Sequence, residues 1–227
     1  MKKKILIFGK NSFIGSNLYT FLKNKHFVKI KSFRSKSLKN LNKFDYIINC
    51  SINKNYINKI YSKNHDFDLK IVNKLDRNTN FIFFSTRKIY KPKANIYEGS
   101  KIRCLNHYEK NKFITEKKIL KIKRDKSIIL RVSNVIGFKK YNSRRIHHTY
   151  LDYLLSKITK GELILNQNEY KDFLDISTFS KIIDSIIKKK IFGTFNISMG
   201  KKVYLKDLNH WLLNSLKNKK KLKIIKL

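Results

Sequence analysis

Apolar residues follow two alternating patterns along this chain. Short unbroken runs of β-branched and aromatic residues alternate with longer stretches whose apolar positions recur at helical spacing. Lys3–Phe8 is the first run, closed by Gly9, and a helical pattern carrying Leu18, Phe21 and Leu22 follows it. His26–Phe33 reads as a second strand and Phe44–Ser51 as a third. A polar, Asn-rich connection then leads to a helical stretch with Phe67, Leu69, Val72 and Leu75. Phe81–Tyr90 is the next strand, and its uninterrupted apolar start suits a strand buried on both faces of a parallel sheet. A helix carrying Phe113 and Leu120 precedes a fifth strand, Ile128–Val132. Strands alternating with helices predict an α/β fold with parallel strands joined by right-handed crossovers. The last third reads as helices over Tyr150–Lys160, Ser177–Lys190 and Leu205–Leu216. Short strands at Leu163–Leu165 and Thr194–Ile197 and a final segment, Leu222–Leu227, complete it.

The strand ends carry the candidate chemistry. Gly9-Lys10-Asn11-Ser12-Phe13-Ile14-Gly15 joins the first strand to the first helix. That arrangement aims helix N-terminal N–H groups at a pyrophosphate, although an ordinary strand-to-helix turn reads the same in isolation. Gly9 permits the tight turn and Gly15 lets helix and strand approach closely. After the second strand of a dinucleotide site, an acid holds the ribose of NAD, whereas Arg accommodates the extra phosphate of NADP. No Asp or Glu occurs between Gly15 and Asp45, while Ser32, Arg34 and Ser35 are present, which favours NADP with NAD as the alternative. Ser85-Thr86 ends the fourth strand on the edge where open α/β sheets bind ligands. Tyr108 and Lys112 stand four residues apart, on one face of the following helix. A cation beside a phenol favours the phenolate and brings a pKa near ~10 towards neutrality. With 53 Lys and Arg in the chain, such a pair also arises by chance, so its weight comes from its surroundings. His107 faces away from Tyr108 and reads as a surface residue, and His147-His148 with Arg144-Arg145 as a solvated loop.

Composition narrows the class. With 227 residues and 41% apolar content, the chain can bury one core or two merged ones. A formal charge of +38 invites a nucleic-acid or anionic-membrane reading. The lysines are dispersed rather than blocked, however, and Asn and Ile are abundant as well. All three have AT-rich codons, so gene composition is the simpler cause and no specific nucleic-acid partner is expected. Cys50 and Cys104 lack metal spacing and read as reduced thiols of a cytoplasmic protein, with no metal site. No run approaches ~20 apolar residues, so membrane insertion is not expected.

Taken together, these segments resemble the extended short-chain dehydrogenase/reductase family, in its nucleotide-sugar epimerase/dehydratase/reductase branch. The turn from Gly9 to Gly15 resembles G-x-x-G-F-I-G, and Ser85-Thr86-Arg87-Lys88-Ile89-Tyr90 resembles S-[ST]-x-x-V-Y. Tyr108, Lys112 and Glu116 match Y-x-x-x-K-x-x-x-E, and Leu130–Gly137 is similar to L-R-x-x-N-V-Y-G. Lys171-Asp172-Phe173 is similar to R-D-F, and Phe195–Gly200 to Y-N-I-G-x-G. The resemblance implies a Rossmann-type doubly wound parallel sheet over residues 1–135. Residues 136–227 would form a small, trimmed C-terminal substrate lobe interleaved with the last Rossmann elements. It further implies Thr86, Tyr108 and Lys112 as the catalytic set. Gly9, Asn11, Ser12, Phe13, Ile14, Gly15, Arg34, Cys50 and Ser51 would join Tyr108 and Lys112 around the cofactor, and Arg87, Asn134 and Lys171 would meet substrate. The implied activity is hydride transfer at a carbon of a nucleotide-activated sugar, for surface polysaccharide synthesis, by a homodimer.

Some positions depart from the pattern. Ser12 replaces a glycine, Lys171 replaces Arg, and Thr178 stands where an acid is usual. Sugar 4,6-dehydratases of the family carry Asp-Glu directly after the catalytic Thr. Arg87-Lys88 stands there and cannot supply an acid and a base at neutral pH, which leaves a 4-keto reductase or an epimerase. The rival reading is a degenerate Rossmann-fold basic protein that binds nucleic acid or an anionic surface.

Overall fold

The computed structural model describes residues 1–32, 38–123, 126–137, 150–160, 162–165, 169–215 and 223–226. In chain order the first half comprises β1 (Lys4–Phe8), α1 (Phe13–Leu22), β2 (Phe27–Lys31), β3 (Tyr46–Asn49), α2 (Lys54–Asn58), α3 (Phe67–Val72), β4 (Asn80–Thr86), α4 (His107–Ile122) and β5 (Ser127–Val132). The second half comprises β6 (Asn134–Ile136), α5 (Tyr150–Thr159), β7 (Glu162–Leu165), β8 (Tyr170–Lys171), β9 (Phe173–Asp175), α6 (Ile176–Lys189), β10 (Gly193–Ile197), β11 (Val203–Tyr204), α7 (Leu205–Ser215) and β12 (Lys223–Lys226).

Six strands form the central sheet in the order β10-β5-β4-β3-β1-β2, and every neighbouring pair is parallel. Both faces are covered, and period-two alternation decides which residue serves which face. Ile5 and Ile7 of β1 point to the side packed by Leu18 and Leu22 of α1 and by Phe179 and Ile183 of α6. Leu6 and Phe8 point the other way, towards Ile71 and Val72 of α3 and Ile119 of α4. This is the doubly wound Rossmann arrangement that the family resemblance implies. The chain goes from β1 to β2 on one side and returns to β3 on the other. The switch point therefore lies at the carboxyl ends of β1 and β3, where such sheets open a crevice.

Three local differences from the sequence expectations have physical causes. The fourth strand stops at Thr86 rather than Tyr90, because Thr86 Oγ1 accepts the Lys88 amide at 3.3 Å and caps a 3₁₀ turn over Arg87–Ile89. The Asn-rich connection contains α2, whose Tyr56 is buried and whose N-terminus is capped by Asn53. The short strand around Thr194–Ile197 joins the central sheet as its sixth strand, paired with β5, and α6 packs beneath it. A smaller cluster, Leu154, Phe173, Leu205 and Leu208, holds α5, β9 and α7 together. Three two-stranded ladders (β6–β9, β7–β12 and β8–β11) accompany it in the C-terminal region.

A charge cluster fastens α6 to the start of the sheet. Asp184 takes Lys25 at 3.0 Å, His26 at 2.8 Å and Lys188 at 2.9 Å. His26 Nδ1 accepts the Lys3 amide at 3.2 Å, so its proton sits on Nε2 and the neutral ring donates to Asp184. Burial opposes the charge on Asp184, but the donors Lys188, His26 and Lys25 outweigh it and hold the carboxyl at about 2. An unfolded Asp titrates near ~3.9, so this stabilisation is complete above that pH and is lost as pH falls towards the folded value. Asp184→Asn is expected to lower Tm by several degrees at pH 7, with the gap to wild type closing on acidification through that window. A gap independent of pH in thermal melts would contradict the assignment.

Candidate active site

The switch point is built from the turn after β1. Gly9 has φ +110°, and a Cβ there would lie 3.0 Å from the backbone of Cys50, which follows β3. A Cβ on Gly15 would come within 2.4 Å of the Gly9 carbonyl oxygen, so its absence lets α1 start directly on the strand end. Ser12, the departure from glycine, is accommodated inside the turn. Its hydroxyl donates to Gly9 O at 2.9 Å and accepts the Gly15 amide at 3.0 Å, which makes it the N-cap of α1. The turn thus brings Gly9, Ser12 and Gly15 together with Cys50, and Asn11, Phe13 and Ile14 lie within the same seven-residue segment. Burial pushes the Cys50 thiol well above its usual range, with Asp68 adding to the shift and Lys112 opposing it. Arg34 lies outside the described residues.

Two strands further along, β4 delivers Thr86 to the same edge of the sheet. The helix after a parallel strand runs back against it, so the N-terminus of α4 also faces this edge. That N-terminus is fixed by a reciprocal cap. Asn106 Oδ1 accepts the Glu109 amide at 3.0 Å, and Glu109 Oε2 accepts the Leu105 amide at 2.6 Å. Tyr108 therefore falls in the first turn and is half-buried, with Lys112 one turn deeper on the same face. Lys112 Nζ donates to the carbonyl of Phe84, two residues before Thr86, at 2.8 Å. It also lies 4.5 Å from the ring centroid of Phe83. The lysine thus ties α4 to the strand that carries Thr86.

Behind Lys112 lies a group of buried polar residues. Asp68 Oδ2 is 3.8 Å from Lys112 Nζ, and Asp68 Oδ1 accepts Asn49 Nδ2 at 2.7 Å. Asn49 Oδ1 in turn accepts the Ser51 hydroxyl at 2.6 Å and its amide at 3.0 Å. Burial drives the Asp68 carboxyl up to about 7; Lys112 and Asn49 pull it down, and Asp66 pushes it further up. Asp66 is separately satisfied by the Leu69 amide, Thr115 and Tyr61.

A model of the family described as "NAD dependent epimerase/dehydratase family" matches residues 5–198. The chain belongs to the NAD-dependent epimerase/dehydratase family. No curated protein is similar to it in sequence. Among solved structures it is similar to a dTDP-4-dehydrorhamnose reductase from Bacillus anthracis in complex with NADP, at 14% identity over 100% of this chain and 84% of that one, with TM-score 0.76. It is similar to a UDP-N-acetylglucosamine 4-epimerase from Methanobrevibacter ruminantium at 18% identity, 100% and 86% coverage and TM-score 0.76. A dTDP-glucose 4,6-dehydratase from Bacillus anthracis in complex with NAD aligns at 16% identity, 99% and 85% coverage and TM-score 0.72. At these identities the likeness establishes the shared fold.

For a member of this epimerase/dehydratase family, the remaining motif positions fall into two groups. Arg87 stands beside Thr86, and its Nε, like the hydroxyl of Ser85, is buried without a hydrogen-bond partner among the described residues. Asn134 reaches the residue that follows Lys171, since its Nδ2 donates to Asp172 O at 2.8 Å, and Lys171 is ion-paired with Glu169. The sequence reading missed Asn49 and Asp68. For Asp68 the signal is the scarcity of acid, since only 15 Asp and Glu occur and two of them, Asp66 and Asp68, fall within or beside an apolar helical pattern. The expected loop residues Arg144, Arg145, His147 and His148 lie outside the described residues. Among those described, no group of three or more His, Cys, Asp and Glu could hold a metal, and no helix is long and apolar enough to cross a membrane.

The Glu116 carboxylate, one further turn along α4, accepts Arg131 NH2 at 2.7 Å. Arg131 NH1 donates to Tyr90 at 2.6 Å, and Tyr90 donates to Asn196 of β10 at 2.8 Å. The rim after Thr86 is thereby braced against α4, β5 and β10. Removing the cap at the other end of α4 should loosen the turn that carries Tyr108. Asn106→Ala is expected to destabilise the protein by ~1 kcal/mol in urea unfolding. No loss of stability would show that the cap does not fix the start of α4.

Proposed function

We propose that this protein is a nicotinamide-dependent 4-keto reductase or epimerase of a nucleotide-activated sugar, serving surface polysaccharide synthesis in the cytoplasm. The observation that carries the reading is the tie between Lys112 Nζ and Phe84 O at 2.8 Å. It sets the Tyr108/Lys112 face of α4 against the strand that ends at Thr86. The turn after β1 fits a dinucleotide: Gly9 and Gly15 leave no side chain between the strand end and α1, and Ser12 is folded into the turn. Gly9, Asn11, Ser12, Phe13, Ile14 and Gly15 would hold the pyrophosphate, and Cys50 and Ser51 would line the adjacent strand end. When bound, the cofactor supplies or withdraws a hydride at the sugar carbon. NADP is preferred on the grounds of Arg34 and the lack of an acid before Asp45.

Tyr108 exchanges the proton of the sugar hydroxyl or carbonyl oxygen. Thr86 hydrogen-bonds the same oxygen, and Lys112 would hold the nicotinamide ribose. Arg87, whose Nε has no hydrogen-bond partner among the described residues, would meet the substrate's polar groups together with Asn134 and Lys171. Arg87 and Lys88 stand where an acid/base elimination would need an acid and a base, which speaks against a dehydratase. The reading extends to a homodimer through a bundle that includes α4, whose exposed Lys110, Lys117 and Lys121 would make assembly salt-dependent.

The test is fluorescence titration of NADPH and NADH into wild type and Tyr108→Phe, followed by turnover with nucleotide 4-keto sugars. NADPH should bind both proteins with affinities within about threefold, while the variant loses turnover by about a hundredfold or more. Binding of neither cofactor, with affinity for DNA or anionic vesicles instead, would replace this reading with the degenerate basic protein.

A further inference from the structure

We propose that Asp68 is a positioning residue for Lys112, and that with Asn49 it couples the catalytic lysine to the cofactor-facing end of β3. The proposal rests on the catalytic reading of Lys112 given above. Lys112 is 6% exposed, so its ammonium has lost nearly all of its water. A cation buried on that scale needs compensating partners. Phe84 O takes one of its three protons, and the Phe83 ring covers it at 4.5 Å. Among the described residues, Asp68 is the carboxylate with which it pairs.

The separation is informative. At 3.8 Å the contact attracts without locking a proton into a hydrogen bond, so Nζ keeps protons for a ligand oxygen while its charge stays balanced. Asp68 cannot drift to improve the pair, because Asn49 holds its other oxygen at 2.7 Å. Asn49 is itself fixed by three contacts with Ser51: its Oδ1 accepts the Ser51 amide and hydroxyl, and its Nδ2 donates to the Ser51 carbonyl at 3.1 Å. A continuous polar line therefore runs from Ser51 through Asn49 and Asp68 to Lys112, joining β3, α3 and α4. Displacing Ser51 would be felt at the lysine.

Asp66 does not compete for this role. Leu69, Thr115 and Tyr61 occupy it, and Asp66 acts on Asp68 through space by raising its proton affinity. Among the described residues, Tyr108 lies one turn before Lys112, and the Cys50 thiol and the Tyr56 phenol also face the pair, both held protonated by burial. Asp68, with a carboxyl raised to about 7, changes charge near neutrality. Below that pH the carboxyl is neutral and the anchor of Lys112 is weakened; above it the anchor is in place.

Two measurements test the proposal. In the protein without cofactor, the aspartate carboxyls are titrated by carbon-13 NMR, with Asp68 assigned by its loss in Asp68→Asn. Its midpoint is expected near about 7 in wild type and higher in Lys112→Met, because the cation that lowers it has gone. A midpoint in the ordinary carboxylate range, unmoved by Lys112→Met, overturns the proposal whether or not any cofactor binds. The second measurement is the NADPH dissociation constant between pH 6 and 8. Wild type should tighten by about tenfold as pH rises, whereas Asp68→Asn should stay at the weak end. Parallel profiles for the two proteins also overturn it. A wild type that binds neither NADPH nor NADH refutes the proposed function instead, and the carboxyl titration still decides whether Asp68 and Lys112 are coupled.

Discussion

Six parallel strands constrain everything else in this protein. Parallel ladders must be buried on both faces, and the helices that follow β1, β3 and β4 each cover one face and run back against the sheet. Strand carboxyl ends and helix N-termini consequently collect on one edge. The Gly9–Gly15 turn, Cys50 and Ser51, Thr86, and the first turn of α4 reach that edge from four places in the sequence. Apolar burial specifies the sheet, and the polar groups that burial cannot accommodate inside it gather where the sheet ends.

The central sheet was legible because burial on two faces writes itself as unbroken apolar runs. Ile5–Phe8, Tyr46–Ile48 and Phe81–Phe83 are fully buried or nearly so, and no polar residue interrupts them. The turn after β1 was legible from its glycines, whose lack of Cβ is what the geometry requires. The pairing of the last strand was not legible. Gly193–Ile197 is half-buried along most of its length, and it joins the sheet by a partner more than sixty residues away, which no local periodicity reports. The line from Ser51 to Lys112 was hidden for a related reason. Asn49 ends a strand, Asp68 lies in a helix nineteen residues on and Lys112 in another, and only the packing of α3 against β3 and α4 brings the three together.

The excess of positive charge is handled locally rather than by one acidic face. Where a lysine enters the interior it receives backbone carbonyls, an aromatic ring or one of the few carboxylates, as Lys112 does. Asp184 serves two lysines and a histidine at once. With so few acids available, Asp184 compensates more than one cation, and its loss would leave Lys25 and Lys188 without their carboxylate.

Arg131 gives the site an order in time. Its guanidinium joins Glu116 of α4 to Tyr90, and Tyr90 is completed by Asn196 near the end of β10. During synthesis, the strand that ends at Thr86 and the helix of Tyr108 leave the ribosome long before Asn196 does. The rim beyond Thr86 therefore acquires its last brace only when the chain has passed that residue. A nascent or truncated chain can hold most of the sheet and still present an unfinished site.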